Sequence, residues 1–491
     1  MASSAAEAKA SNNNTKYYIH SAIAIAIMVL FWHLPAPYPL TPGGMIVVGA
    51  LLGAIYGWYH GNLIWVSLFA LINIGISDVA TVGGLLASLF GNTNVIFLIF
   101  FFTFVGYLNL IGFPQIIAQK ILSSKLTKGR PWVLVLCLML SGMIPASLMS
   151  VTAMLVLTLA LINNLCDELG MEKNDKFRVT MVVAATAAVG MSFTIFPFMV
   201  SSVTMIGIWH GLGLPYSYFP FIPYMAFILV VKGSTLLGIV AVLRFIIRPD
   251  VSKLKSYVYP GETPKFSEDQ RFALMLIGLL FLLFMAPTIL PTGTPVHAFF
   301  AQFGMQVVIA IVVMIGTFVR NKEGKPRLDL PAAATKQLAP MFPVIIMVGT
   351  TLVLSDLIGR AELGFADFIS FHVAPMLDVG SATAFTVVVL LITFVLTSAL
   401  PIPLLRGLLP PILFPLLTTY GFPVMPFIMV WSFILMAGNW LPSSGAIAAI
   451  MHGDVGTKNA LKYMPLFMAV FLVVALAIGI PLGNLLFRGY A

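Results

Sequence analysis

The stretch that decides the fold is Ser141-Gly-Met-Ile-Pro-Ala-Ser-Leu-Met-Ser-Val-Thr152, which interrupts an apolar segment running from 131 to 163. A helix that crosses a membrane needs roughly 20 apolar residues. The segment fits no single crossing, and it is long enough to enter and leave the membrane on one side. A second segment, 381–420, has the same character and is interrupted by Thr397-Ser-Ala-Leu-Pro-Ile-Pro-Leu-Leu-Arg-Gly-Leu-Leu-Pro-Pro411. We therefore predict re-entrant hairpins at 131–163 and 381–420.

The composition indicates that the main solvent of the chain is lipid. Of its 491 residues, 60% are hydrophobic and 9% are charged, against about 25% charged in soluble domains. The net charge of +9 is typical of basic cytoplasmic loops in a membrane protein, so no nucleic acid partner is expected. Cys137 and Cys166 provide neither a disulfide framework nor a metal-binding spacing. We predict an all-α polytopic protein of the cytoplasmic (inner) membrane, whose partners are the lipid bilayer and a small substrate.

The basic residues determine the predicted topology. Candidate crossings lie at 17–34, 43–59, 62–77, 93–112, 177–209, 219–246, 272–290, 298–319, 338–358, 423–452 and 464–487. Basic clusters lie in the connections 120–130, 173–178, 244–271, 320–336 and 458–462. If the N-terminus is inside and both long segments are hairpins, every cluster falls on the cytoplasmic side, as the positive-inside rule requires. The prediction is about 11 transmembrane helices plus two re-entrant hairpins, with the C-terminus outside.

The order of crossings and hairpins repeats, starting from opposite sides of the membrane. This arrangement predicts two inverted repeats, a common plan of secondary transporters. The predicted parts are a disordered cytoplasmic tail (1–16), a first helix and loop (17–42), a first repeat (43–246), a cytoplasmic linker (247–271) and a second repeat (272–487). Each repeat contains a hairpin followed by a broken helix, at 177–209 in the first and at 423–452 in the second.

Four interruptions fall at matching places in the two halves, and they are where we expect the site. Each alone has a simpler reading as a kink, because Pro and Gly are common in membrane helices. Irregular backbone inside a membrane is tolerated where it is buried in protein or lines a watery cavity. Helix N-termini at such breaks suit an anion, and carbonyls and hydroxyls suit Na⁺. The candidate substrate-binding residues are Ser147, Ser150, Thr152, Thr194, Arg406, Asn439, Ser443 and Ser444. The candidate ion-binding residues are Ser150, Ser192, Thr194 and Asn439.

Two cations lie deep in predicted membrane segments. Arg406 lies at the centre of the second hairpin, where its guanidinium would bind a carboxylate through two parallel hydrogen bonds. It would equally serve as a fixed cation in place of Na⁺, reach the outer headgroups, or pair with an acid such as Asp356. Lys232 lies about ten residues into its crossing, and we expect it to make an internal contact or to extend to the headgroups.

The hairpins and broken helices resemble those of the divalent anion/sodium symporters, the solute carrier 13 family, within the ion transporter superfamily. Met149-Ser150-Val151-Thr152 keeps the Ser and Thr of the Ser-Asn-Thr motif that the family places at hairpin tips. Ser192-Phe-Thr-Ile-Phe-Pro197 loosely matches the loop of the first broken helix, and Asn439-Trp-Leu-Pro-Ser-Ser-Gly-Ala-Ile447 matches that of the second more closely. The second hairpin lacks the motif and carries Arg406. The resemblance covers the architecture of 40–487, and it implies an elevator mechanism, a homodimer and a small di- or tricarboxylate substrate.

The leading functional prediction is a secondary active transporter of small organic anions that works as a symporter or an exchanger, with Na⁺ or H⁺ as the coupling ion and no other cofactor. The alternatives are an exporter or a cation/proton antiporter of the same superfamily. From other classes, a channel would share the breaks, whereas an intramembrane enzyme would need paired acids, a metal motif or a nucleophile–base pair. The sequence shows none of these motifs, so we do not expect an enzyme.

Overall fold

The computed structural model of the protein describes most of the chain. The described residues are 2–60, 63–148, 151–197, 199–211, 220–257, 264–291, 293–377, 380–400, 402, 405–406, 409–438, 441 and 446–488. Within them every regular element is a helix, and the only β-type pairing is an isolated bridge between Arg320 and Pro326. The all-α prediction is confirmed for this part of the chain.

The helices follow the order that the hydropathy predicts, with several short additions. The first half contains α1 (Ala2–Leu30), α2 (Pro42–Tyr59), α3 (Leu63–Gly75), α4 (Val82–Phe90), α5 (Thr93–Leu110), α6 (Phe113–Leu122), α7 (Pro131–Ala146), α8 (Val151–Glu168), α9 (Lys176–Gly190), α10 (Val200–Gly211) and α11 (Phe221–Ile247). The second half contains α12 (Glu268–Ile289), α13 (Pro295–Ala301), α14 (Met305–Phe318), α15 (Leu330–Ile358), α16 (365–377), α17 (Ala382–Ala399), α18 (Pro410–Thr419), α19 (Val424–Ala437), α20 (Ala446–Val455) and α21 (Thr457–Leu486). Short polar side chains begin several helices: Thr41 caps α2, and Ser267 forms a capping box with Gln270 at α12.

Membrane-spanning helices dominate the described structure. Within that part of the chain, eight helices are long and apolar enough to cross a membrane: Pro42–Tyr59, Thr93–Leu110, Val151–Glu168, Lys176–Thr194, Phe221–Ile247, Glu268–Pro287, Leu330–Ile358 and Thr457–Leu486. The chain is an integral membrane protein. The predicted number of crossings, the inverted repeats, the domain limits and the sides of the termini stay predictions.

One predicted segment has a different structure, and a second is not tested. Residues 2–16 are assigned to α1, a run rich in alanine, the strongest helix former, and the disordered cytoplasmic tail at 1–16 stays a prediction. The predicted crossing 298–319 is divided, because α13 ends at Ala301 and α14 begins at Met305. Between them Gly304 takes an extended conformation with ψ of 165° as the N-cap of α14, and this breaks the helix.

Close packing at glycines joins each hairpin to its broken helix. A Cβ atom added at Gly142 of α7 would lie 2.7 Å from Val189 of α9 and would also overlap Thr158 of α8. Likewise a Cβ at Gly438, directly after α19, would lie 2.5 Å from the carbonyl oxygen of Thr397 in α17. Small residues let membrane helices approach this closely.

The apolar core has two parts. The smaller cluster joins α1, α2, α3 and α4 to one end of α15. The larger cluster contains the hairpins, the broken helices, α11 and α21. The candidate site lies where helices of the smaller cluster, together with α5, face the first hairpin and broken helix.

Candidate functional site

A cavity of about 410 Å³ separates α2, α5 and α15 from the first hairpin, the first broken helix and Arg406 of the second hairpin. Most of its lining is apolar or aromatic. The polar lining consists of Thr152, Ser201, Thr204, Gln337, Thr351 and Arg406, and no acidic residue is among the described lining. Ligand sites are commonly apolar cavities of about 300–1,000 Å³ with a few placed polar groups. The cavity therefore has the size and the positive charge for a small anion.

Arg406 lies between α17 and α18, and its own backbone is helical. Its Nε–H is buried and donates to no described residue, and among the described ion pairs none includes Arg406. Asp356, an acid that the sequence offered as a partner, lies instead near Arg360, with 4.0 Å between Oδ2 and NH2. An uncompensated cation deep in a membrane protein is costly, and such residues usually mark function. The guanidinium is thus available to a ligand in the cavity.

The hydroxyl groups of the cavity fall into two kinds. Thr204 Oγ1 donates to the carbonyl of Val200 at 2.7 Å, and Thr351 Oγ1 donates to that of Met347 at 2.9 Å. These two hydroxyls have their protons committed to the preceding helical turn. Thr152 and Ser201 make no hydrogen bond to another described residue, so their hydroxyls are free to donate to an anion.

Gln337 enters the cavity from a π-helical turn, Ala334–Leu338, inside α15. Such turns add a residue to an α-helix and are frequent at functional sites. The Oε1 atom of Gln337 accepts a hydrogen bond from Nδ2 of Asn109 in α5, at 3.1 Å. Because the carbonyl of the amide is engaged, its NH₂ group is the part left to donate to a ligand.

The break between α9 and α10 lies next to the cavity, and α11 satisfies its exposed backbone. Lys232 Nζ donates to the carbonyl of Met191 at 2.5 Å and to Thr194 Oγ1 at 2.8 Å. Tyr224, two turns earlier on α11, donates its hydroxyl to the carbonyl of Thr194 at 2.7 Å. Ser202 of α10 donates to the carbonyl of Phe196 at 3.2 Å. The break is therefore hydrogen-bonded inside the protein, as lipid requires.

The structure separates the predicted site residues. Thr152 and Arg406 line the cavity, and Thr194 lies in the break beside Lys232. Ser192 donates to the carbonyl of Val189 at 2.7 Å, and Ser147 donates to that of Ile144 at 2.6 Å; neither lines the cavity. Ser150, Asn439, Ser443 and Ser444 lie outside the described residues. All of these binding roles stay predictions.

Four cavity residues were not among the predicted binding residues. Ser201 and Thr204 follow the first break with helical spacing, which puts them on one face of α10; this signal was present in the sequence. No sequence pattern pointed to Gln337, because the π-helical turn that directs its side chain to the cavity depends on tertiary packing. Thr351 lies within an apolar crossing, where a single threonine is unremarkable.

The architecture matches that of a solved transporter over nearly its whole length. The crystal structure of the Alcanivorax borkumensis YdaH transporter, described as having an unusual topology, is similar with a TM-score of 0.54 at 11% sequence identity. The match covers 97% of this chain and 98% of that one. No protein-family model and no curated protein matches the sequence. The chain is a membrane protein with a transporter fold, and its resemblance to the divalent anion/sodium symporters stays a prediction.

Proposed function

We propose that the protein is a secondary active transporter of small organic anions, of the di- or tricarboxylate kind, and that it works as a symporter or an exchanger. The observation that carries this proposal is the guanidinium of Arg406, whose Nε has no partner among the described residues, in a cavity with no described acidic residue. The transporter fold shared with the YdaH structure supports transport as the activity.

The cavity offers a small carboxylate both charge and donors. The guanidinium of Arg406 holds one carboxylate through parallel hydrogen bonds. The hydroxyls of Thr152 and Ser201 and the NH₂ group of Gln337 are further donors, and they reach a second polar group of the same ligand. A cation would find no described carboxylate in this cavity, which disfavours the antiporter alternative for this site.

An elevator movement fits the position of the cavity. One wall comes from α2, α5 and α15, and the other from the first hairpin, the first broken helix and Arg406. If the hairpins and broken helices move as one body against the other wall, the ligand moves with Arg406. The homodimer that this mechanism usually requires is part of the same proposal.

The test is ligand binding and counterflow with the purified protein. Small mono-, di- and tricarboxylates and sulfate are screened by thermal shift, because a ligand of the folded state raises its stability. The best ligand is then followed in proteoliposomes by counterflow. We expect one class of carboxylate to raise the Tm and to exchange across the membrane in a saturable way.

Arg406 variants connect this activity to the cavity. Losing a hydrogen bond to a charged group costs about 1.5–3 kcal/mol, so Arg406→Ala should weaken binding about 10- to 150-fold. Arg406→Lys keeps the positive charge but loses the two parallel hydrogen bonds of the guanidinium, so its affinity should lie between those of the wild type and Arg406→Ala. Arg360→Ala, which alters a partly exposed arginine near Asp356 and Glu362, is the matched control. Unchanged affinity in a folded Arg406→Ala protein would overturn the assignment.

A further inference from the structure

Lys232 is a buried cation outside the anion cavity. The residue is 2% exposed. Among the described residues its Nζ donates to uncharged oxygens, the carbonyl of Met191 at 2.5 Å and Thr194 Oγ1 at 2.8 Å. Among the described ion pairs none includes Lys232, so no described carboxylate lies within 4.0 Å of its Nζ. A buried charge without an acidic partner must be held by dipoles.

The end of α9 supplies those dipoles. After Gly190 the helix continues as one 3-10 turn, Met191–Thr194, and then leaves helical geometry. The last carbonyls of a helix have no intrahelical partner and carry partial negative charge. A cation at this end is therefore stabilised without a carboxylate. Carbonyls and hydroxyls at broken helices are also the ligands by which transporters hold Na⁺.

A small, mostly apolar void borders Thr194, the residue whose hydroxyl contacts the ammonium, and hydroxyl groups form part of its lining. A void of about 20 Å³ touches Thr194, Ser202, Tyr224 and Ser432. This volume is enough for one water molecule or an ion of similar size. Removing the lysine side chain would open more room next to Met191 and Thr194, and the vacated space would be bounded by the carbonyl of Met191 and the hydroxyl of Thr194.

We propose that the Lys232 ammonium is a tethered cation that permanently occupies a monovalent cation site at the break between α9 and α10. The coupling ion that would bind there is replaced by a side chain, so this half of the transporter takes no Na⁺. The proposal goes beyond the proposed function, because it concerns the ion at the break and makes no use of the substrate. From the sequence alone, Lys232 could make an internal contact or extend to the headgroups. The proposal gives this lysine a specific internal role.

The experiment measures the thermal stability of the purified full-length protein without substrate, in NaCl, KCl and choline chloride at equal ionic strength. In the wild type, Thr194→Val should leave any response of the Tm to NaCl unchanged, because Lys232 already fills the site. In KCl and in choline chloride, Lys232→Ala should have a lower Tm than the wild type. NaCl should raise the Tm of this variant in a saturable way, by about 5 °C when the Na⁺ concentration is well above the Kd of the site. Lys232→Met, which removes the charge but fills the space, should lose stability without recovering it in NaCl.

Two further variants make the test specific. Lys232→Ala/Thr194→Val removes the hydroxyl ligand as well and should abolish the effect of NaCl. Lys253→Ala is the matched control, since Lys253 also donates to a carbonyl, that of Gly170 at 3.1 Å, but lies at the surface. If Lys232→Ala does not fold, Lys232→Ser carries the same prediction, because its hydroxyl adds an oxygen to the vacated space.

Two results would overturn the proposal. One is a saturable, Na⁺-specific rise in the Tm of the wild type that Thr194→Val abolishes, which would mean that the site at the break is not already filled. The other is a folded Lys232→Ala or Lys232→Ser protein that responds alike to all three salts. Because no substrate is present, neither result depends on whether the cavity binds carboxylates.

Discussion

The side-chain amide of Gln337 is oriented by Asn109, whose Nδ2 donates to Oε1 of Gln337 across 3.1 Å. This contact joins α5 to the π-helical turn of α15, and it leaves the NH₂ group of Gln337 as a donor at the cavity wall opposite the first hairpin. A neutral donor at that place adds to the attraction of Arg406 for an anion. Because glutamate has nearly the same shape as glutamine, a negative charge, opposite to that of Arg406, can be introduced at this position.

Gln337→Glu should weaken anion binding. The new carboxylate still accepts from Asn109, so the packing is retained, but the cavity gains a negative charge and loses a donor. We expect the Kd of a carboxylate ligand to rise at least about tenfold, since 1.4 kcal/mol of lost interaction is a factor of ten. Titration by thermal shift or calorimetry checks the change.

The control for this substitution is Gln302→Glu. Gln302 is exposed, and its Nε2 donates to the carbonyl of Ala298 at 3.1 Å. The same change of an amide to a carboxylate is therefore made outside the cavity. Equal affinities of Gln337→Glu and the wild type would place the ligand elsewhere.

Gly142→Ala should destabilise the protein without touching the cavity. The added methyl would lie 2.7 Å from Val189 and against Thr158, whose hydroxyl is already bonded to the carbonyl of Met154. Overfilling a packed interior costs typically about 1–3 kcal/mol. The Tm in detergent should therefore fall, and Gly142→Ala/Thr158→Ala should recover part of the loss by removing the overlapping atoms.

The comparison for Gly142 is Gly278→Ala in α12. A Cβ at Gly278 would meet no atom within 4 Å, and alanine favours a helix over glycine by about 1 kcal/mol. This variant should be neutral or slightly more stable than the wild type. A neutral Gly142→Ala would show that α7 and α8 pack less closely than the structure indicates.

The positions of the helix breaks were predictable, whereas the contacts at the breaks were not. Glycine, proline and hydroxyl residues in overlong apolar segments located the interruptions between α7 and α8 and between α9 and α10. Arg406 stood out because a charge is rare in such a segment. The partners of Lys232 lie about 40 residues away along the chain, and no local pattern encodes a contact over that separation. The register that brings Gln337 to the cavity depends in the same way on tertiary packing.

Arg178→Ala should loosen the contact between the first hairpin and both broken helices. Arg178 of α9 donates to Asn163 Oδ1 at 2.8 Å and to Asp167 Oδ1 at 2.6 Å, and Asn163 donates to Asp454 of α20 at 3.2 Å. Asp167 is 63% exposed, so the ion pair itself contributes little. The bond to Asn163 matters more, and we expect a loss of about 1–2 kcal/mol.

A double-mutant cycle with Asn163→Ala measures this contact. The loss of stability in the double variant should be smaller than the sum of the losses in the two single variants, because both substitutions remove the same interaction. Arg320→Ala, at an exposed arginine, should leave the Tm unchanged. Strict additivity would mean that Arg178 and Asn163 do not stabilise one another.

The stacked imidazoles of His20 and His60 should make the contact between α1 and α2 sensitive to acid. The ring centroids lie 3.5 Å apart, and His60 follows the last turn of α2. Burial, and to a lesser degree the charge of His20, lowers the pKa of His60 from 6.5. In the unfolded chain His60 therefore binds a proton more readily than in the folded protein, and the folded state loses stability as the pH falls below about 6.5.

Lowering the pH from about 7.5 to about 5.5 should reduce the Tm of the wild type more than that of His60→Gln. The carboxylates titrate alike in both proteins, so the difference between them isolates His60. His297→Gln in α13 is the control and should behave as the wild type; an equal fall in the Tm of His60→Gln would assign the acid sensitivity to other groups.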